Sequence, residues 1–176
     1  CDGAGVDSPG CESINYGDPN SMMGNAAKYK HFNIVEKEDL GWLSAGHTVE
    51  VTASGSYTHE PQSTVTSGLK GLKIPRGAGE FLYVEFRQDV GFEDGLASRI
   101  GSDVFEGAQL YLRETEHRSV LIDPAPPTPT PANILMVTWT SALKVGESYT
   151  DPASGATVRV TALTANTSLT VEVTVP

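Results

Sequence analysis

The stretch Phe81-Leu82-Tyr83-Val84-Glu85-Phe86-Arg87 alternates residue by residue. In an extended chain successive side chains point to opposite faces. Leu82, Val84 and Phe86 therefore share one side, and Tyr83, Glu85 and Arg87 share the other. Aromatic and β-branched residues fit such a pleated surface. The same period of two recurs outward from this run. Upstream, Val49 and Val51 alternate with Thr48, Glu50 and Thr52, and the runs 54–59 and 69–74 continue the pattern. Downstream come 109–113 and a closing run at 120–122, with glycines between. Short strands separated by turn residues predict a mainly β fold, an antiparallel sandwich or barrel, over residues 46–123.

A boundary follows. Asp123-Pro124-Ala125-Pro126-Pro127-Thr128-Pro129-Thr130-Pro131 offers few backbone donors to a sheet ladder and stiffens an extended linker, placed at 124–131. Beyond it, 134–140, 143–145, 157–161 and 169–175 read as strands, with Val171, Val173 and Val175 on one face. Roughly 45 residues are few for an independent core. The segment 132–176 is therefore expected to pack on the preceding sheet or complete it.

Ahead of the strands the period changes. Asn33 can cap a helix, and Glu36 lies three residues on, as a capping box requires. Ile34, Val35 and Leu40 give this short helix an apolar side, and Gly41 stands where a helix terminator belongs. Trp42 and Leu43 then return to apolar packing.

Further upstream lies Tyr16-Gly17-Asp18-Pro19-Asn20-Ser21-Met22-Met23-Gly24-Asn25. By residue chemistry alone this is a turn with a Met pair suited to filling gaps in a core. Taken in order with His31-Phe32-Asn33 and Leu40-Gly41-Trp42-Leu43, it resembles the region after the zinc helix of gametolysin-like metallopeptidases. More loosely it resembles the immune-inhibitor-A-type secreted proteases. Ser54-Gly55-Ser56-Tyr57-Thr58, Leu72-Lys73-Ile74-Pro75-Arg76, Tyr83-Val84-Glu85-Phe86-Arg87-Gln88 and Val145-Gly146-Glu147-Ser148-Tyr149-Thr150-Asp151-Pro152 are similar to the β-rich region and tail of that group. The resemblance implies that residues 1–45 are the end of a metzincin catalytic domain, its Met-turn and closing helix. Met23 would floor the zinc-holding imidazoles without ligating the metal, and Gly24 would let the chain turn tightly. Tyr16, Gly17, Asp18 and His31 would lie near the site, with His31 in an orienting or structural role. Met22 departs from the aliphatic residue expected there.

The zinc motif H-E-x-x-H-x-x-G-x-x-H is not in the sequence. The resemblance therefore implies zinc in an intact parent, where it would polarise a peptide carbonyl and activate water, with a motif Glu as base. This chain would supply the Met-turn and an accessory β region, bind no zinc alone and cleave nothing alone. The parent's substrate would be a protein or peptide. The competing reading is a non-catalytic extracellular β-sandwich that binds glycan, matrix or protein through Tyr57, Tyr83, Phe92, Tyr111 and Trp139.

With 12 Lys and Arg against 22 Asp and Glu, the formal net charge is −10. That argues against nucleic acid or an anionic membrane as partner, since both need basic patches. No run approaches the ~20 apolar residues of a membrane span. The first residue is Cys and no signal peptide is visible, so a processed, truncated or fragmentary chain is expected. Cys1 and Cys11 flank Gly3, Gly5, Pro9 and Gly10 and suit a disulfide closing a surface loop. Such a bridge implies an oxidising, secreted or extracytoplasmic setting. A lipid-modified Cys1 and a Cys-based metal site are the alternatives. Asp89, Glu93 and Asp94 are a candidate calcium cluster, set against a solvated acidic loop. His31, His47, His59 and His117 lack ligand spacing, and neither a Gly-x-Ser-x-Gly elbow nor a phosphate loop is present. Asn166-Thr167-Ser168 matches the N-glycosylation acceptor pattern, relevant in a eukaryotic secretory path.

Overall fold

The computed structural model describes residues 18, 20–24, 30–100, 103–115, 118–124 and 142–176, without the side chains of residues 99, 100, 114, 115 and 118. Cys1, Cys11, Tyr16, Gly17, the proline-rich stretch after Pro124, the run 134–140, His117 and Trp139 lie outside the described residues.

Among the described residues ten strands occur in chain order: β1 (Thr48–Glu50), β2 (Gly55–His59), β3 (Gly71–Gly77), β4 (Glu80–Phe86), β5 (Gly107–Thr115), β6 (Arg118–Ile122), β7 (Leu143–Lys144), β8 (Ser148–Thr150), β9 (Thr157–Thr164) and β10 (Ser168–Thr174). A helix α1 (Ile34–Asp39) precedes them, and a single turn α2 (Ala97–Ile100) lies between β4 and β5. The strands form two sheets. One has the order β1-β3-β4-β5-β6, with β7 also beside β5; the other has the order β2-β10-β9-β8. The fold is mainly β.

The pairs are antiparallel except one. β1 lies parallel to β3, with Val49 opposite Leu72. The antiparallel expectation is corrected at this edge. After β1 the chain crosses to the other sheet as β2 before returning as β3, and such a crossover is what parallel neighbours need. β2 is paired with β10, His59 opposite Leu169 and Tyr57 opposite Val171, so strands from both sides of the proline-rich stretch share one sheet.

The core lies between the sheets. β4 runs between β3 and β5, with Leu82 opposite Ile74 and Leu112, and Val84 opposite Leu72 and Leu110. These side chains meet Val158, Val160, Leu169, Val171 and Val173 of the other sheet in one buried cluster, with Val175 at its rim. Burying each such side chain contributes about 1.5–3 kcal/mol. Arg76 on β3 reaches the other sheet as well. Its Nε donates to both carboxylate oxygens of Asp151, at 2.9 and 3.1 Å, and Asp151 is fully buried.

The opposite face of β4 is also covered. Tyr83, Glu85 and Arg87 are buried beneath α1 and the chain before it, where Ile34 and Val35 pack on Tyr83 and Tyr111. The start of α1 carries the capping box: the Asn33 side chain accepts the Glu36 N–H and the Glu36 carboxylate accepts the Asn33 N–H. At the end Gly41, at φ +67°, lets its own N–H reach Glu38 O and the Trp42 N–H reach Lys37 O, at 3.0 and 2.9 Å. That pair of bonds closes the helix, and its left-handed residue favours glycine. Trp42 does not return to the core. It is 59% exposed and packs edge-to-face on Phe32, ring centroids 5.3 Å apart.

Candidate functional site

The turn around Met23 is built from short polar side chains that bond to nearby backbone, the chemistry that makes such residues turn formers. Asp18 Oδ1 accepts the Asn20 N–H at 2.7 Å. The Gly24 N–H donates to Ser21 O at 3.2 Å, and Ser21 Oγ accepts the Met23 N–H at 3.1 Å. A Cβ at position 24 would collide with the Asp18 carbonyl oxygen, so glycine is required where the turn closes on itself. Met22 is half-buried and its Sδ accepts the Lys30 N–H at 3.3 Å. Met23 faces outward and is 64% exposed.

The turn is anchored from beneath. Ser21 Oγ donates to the Glu36 carboxylate, with oxygens at 2.6 and 2.8 Å, so the residue that caps α1 also holds the turn. Asn20 Nδ2 donates to Gln109 Oε1 on β5 at 3.1 Å. The chain entering α1 rests on charges from β4 and the loop after it. Glu85 Oε2 accepts the Ile34 N–H at 2.7 Å, and Glu93 Oε1 accepts the His31 N–H at 3.1 Å. Arg87, 1% exposed, donates Nε to Glu85 at 2.5 Å and Nη1 to Glu93 at 2.6 Å. Both terminal nitrogens of Arg87 also donate to His31 O, each at 3.3 Å. Lys37 Nζ donates to Gln62 Oε1 at 2.7 Å. The backbone of residues 31–34 is thus gripped by buried ionic side chains, and charge-assisted hydrogen bonds of this kind are the strong ones.

Burial sets the electrostatics. It raises the Asp18 carboxyl to about 6, against the pull of the Arg87 charge. The residue keeps some exposed surface, but its Oδ2 is sealed and without a hydrogen-bond partner. Burial also raises Glu36 and Glu93, the former opposed by the Ser21 hydrogen bond and the latter by the Arg87 charge. It lowers Lys37 to about 8, with Arg87 adding to the effect. His31 falls to about 4 through burial and the charges of Lys37 and Arg87, so its imidazole is neutral at pH 7. Its ring meets Phe92 edge-on, centroids 5.1 Å apart.

Asp18, Met23 and Gly24 thus share one turn, tied to α1 and β5 through Ser21 and Asn20, while His31 lies in the chain entering α1 against Glu93 and Phe92. Tyr16, Gly17, Cys1 and Cys11 lie outside the described residues. Among the described residues no three His, Cys, Asp or Glu side chains group in a way that could hold a metal ion. Asp89 and Glu93 serve separate partners. Asp89 Oδ1 accepts the Leu96 N–H at 2.6 Å and the Ala97 N–H at 3.3 Å, and Glu93 is buried against Arg87, so the loop is not simply a solvated acidic surface. Of the aromatics considered for ligand contact, Tyr83 and Tyr111 are core residues, Tyr57 is half-buried and Phe92 is 61% exposed.

The anchoring roles of Lys37, Gln62, Glu85, Arg87 and Gln109, and the second role of the capping residue Glu36, were not read from the sequence. A signal was present: Glu85 and Arg87, opposite in charge, share a strand face with Tyr83. Charged residues at such positions ordinarily face water, and only the docked segment shows that they do not.

Comparison with protein-family models, with curated proteins and with solved structures finds no match for this chain. No helix among the described residues is long and apolar enough to cross a membrane.

Proposed function

We propose that this chain is the downstream part of a secreted zinc metalloendopeptidase, in which it supplies the Met-turn and a β-rich region joined rigidly to it. The observation that carries this reading is the contrast at residues 20–24. The back of the turn is locked by Ser21, Asn20 and Gly24, while the Met23 thioether stands outside at 64% exposure. An apolar side chain held outward on a rigid turn is suited to lie beneath a group contributed from elsewhere. The described residues do not fit zinc themselves. They offer no donor triad, and His31 lies beside the positive charges of Lys37 and Arg87. The metal's ligands would come from the parent upstream of Cys1, and the part of this chain is support and positioning.

The test is to read and express the native coding sequence ahead of Cys1. The expected result is an H-E-x-x-H motif within a few tens of residues and EDTA-sensitive proteolysis by the joined protein, reduced several-fold by Met23→Ala. The 176-residue chain alone should bind no zinc tightly. An upstream sequence with no zinc motif, or EDTA-sensitive proteolysis by the chain alone, overturns the reading.

A second reading has its own support. Trp42 and Phe92 are large, exposed rings, as in a module that binds glycan or protein. Quenching or shift of Trp42 fluorescence on titration with oligosaccharides, lost in Trp42→Ala, would favour it.

A further inference from the structure

The acceptor triplet Asn166-Thr167-Ser168 is the only Asn-x-Ser/Thr in the sequence, and the structure sets it at the tip of the hairpin joining β9 to β10. Ser168 pairs with Thr164 as the first rung of that hairpin. Asn166 is exposed and adopts φ +59°, a left-handed conformation in which Asn is several-fold enriched. The turn is held mainly by backbone donors, with Thr167 Oγ1 also donating to Ala165 O at 3.2 Å. The Thr167 N–H donates to Thr164 O at 3.0 Å, and the Asn166 N–H donates to Gln88 Oε1 at 2.7 Å. Neither the Asn166 amide nor the Ser168 hydroxyl takes part in these contacts. The modification needs those two groups: an amide nitrogen as nucleophile and a hydroxyl two residues on. Asn166 also borders an open cleft of about 570 Å³, whose apolar part includes Phe105, Leu163, Ala165 and Val145 and whose walls also carry Gln88, Asp89, Glu106 and Lys144. Val145 is 53% exposed there.

We propose that Asn166 is an N-glycan attachment site and that the sugar covers this cleft. Asn166 Nδ2 attacks the anomeric carbon of a lipid-diphosphate-linked oligosaccharide. The N–C bond forms, the bond from that carbon to the phosphate oxygen breaks, the lipid diphosphate leaves, and the amide gives up one proton to a base of the transferase. The hairpin tip accepts a bulky group without unpacking, since its outward side meets water and its anchors are backbone donors. A glycan here covers the apolar part of the recess, Val145 and Leu163 among it, with hydrated surface, the solubilising effect expected of such a modification. This site does not depend on the protease reading.

The test is secretion of the full 176-residue chain, behind a leader peptide, from a eukaryotic host, followed by peptide mapping before and after peptide-N-glycosidase. The expected result is a glycan on the peptide containing residue 166, released with conversion of Asn166 to aspartate. It should be absent in Ser168→Ala and retained in Ser168→Thr. The cleft arm is read by a solvatochromic apolar dye: enzymatic deglycosylation should raise its binding at least twofold, and Leu163→Ser should cancel that rise. Secreted chain with Asn166 unmodified overturns attachment, as does a glycan that survives Ser168→Ala. Equal dye binding with and without the glycan overturns the covering role.

Discussion

His59 is the residue whose chemistry is most at odds with its setting. It lies on β2, fully buried, with both ring nitrogens lacking a hydrogen-bond partner. Burial alone lowers it to about 4. The folded state therefore holds His59 neutral, while the unfolded chain binds a proton near pH 6.5. The unfolded state binds more protons between those values, so this residue's contribution to stability is whole above pH 6.5 and is lost as pH falls toward 4. Asp18 acts in the opposite sense over an overlapping window, because its carboxyl is raised to about 6 and the fold there prefers the protonated form. Net pH dependence of the wild type hides both effects, so the variant must be compared at two pH values. His59→Leu should gain about 2–3 kcal/mol relative to wild type on going from pH 7.5 to 4.5, measured by urea denaturation. An unchanged difference between the two pH values would show that His59 is solvated or partnered in solution.

At the scale of elements, α1 has six residues, too few to hold together by propensity alone. Its stability rests on its ends and on its contacts. Asn33 serves both: it caps the helix, and its Nδ2 donates to Ser119 Oγ on β6 at 2.7 Å. Tyr83 on β4 donates to Glu38 Oε2 at 2.7 Å, Lys73 on β3 pairs with Glu38 Oε1 at 2.9 Å, and Arg113 on β5 reaches Glu38 and Asp39, so the helix is bound to β3, β4, β5 and β6. Asn33→Ala should lower stability by about 1–2 kcal/mol, the usual loss for a helix cap. Hydrogen exchange should localise the effect, with amides of residues 20–24 and 34–40 losing protection before those of β9 and β10. Uniform loss across both sheets would mean that the segment and the two sheets unfold only together.

Over the whole molecule, two sheets are joined by an apolar core and by a buried ionic tie at its rim. The Arg76–Asp151 pair spans from β3 to the turn after β8, and that turn depends on the same carboxylate. Asp151 Oδ2 accepts the Ser154 N–H and Oγ–H at 3.0 and 2.6 Å. Removing one partner of a buried pair leaves an uncompensated charge and costs about 3–5 kcal/mol. Arg76→Met should fall in that range by chemical denaturation, and Arg76→Met with Asp151→Leu should recover part of it. A loss below 1 kcal/mol for Arg76→Met would mean that water reaches Asp151.

What the sequence determined by itself was local. Alternation at 81–87 and 169–175 placed strands because side-chain direction along an extended chain follows from the residues in it. Asn33, Glu36 and Gly41 marked the helix because their signals act within a few residues of one another. Which strands are neighbours was decided by the tertiary structure. Nothing within 55–59 says that it pairs with 169–173 across more than a hundred residues, since partner choice depends on which apolar faces close together once the chain collapses. The anchor beneath residues 31–34 was not legible as one for the same reason. Arg87 and Glu85 are ordinary surface residues until residues 30–34 are laid over them, and their charge then becomes an internal bond instead of a hydrated face.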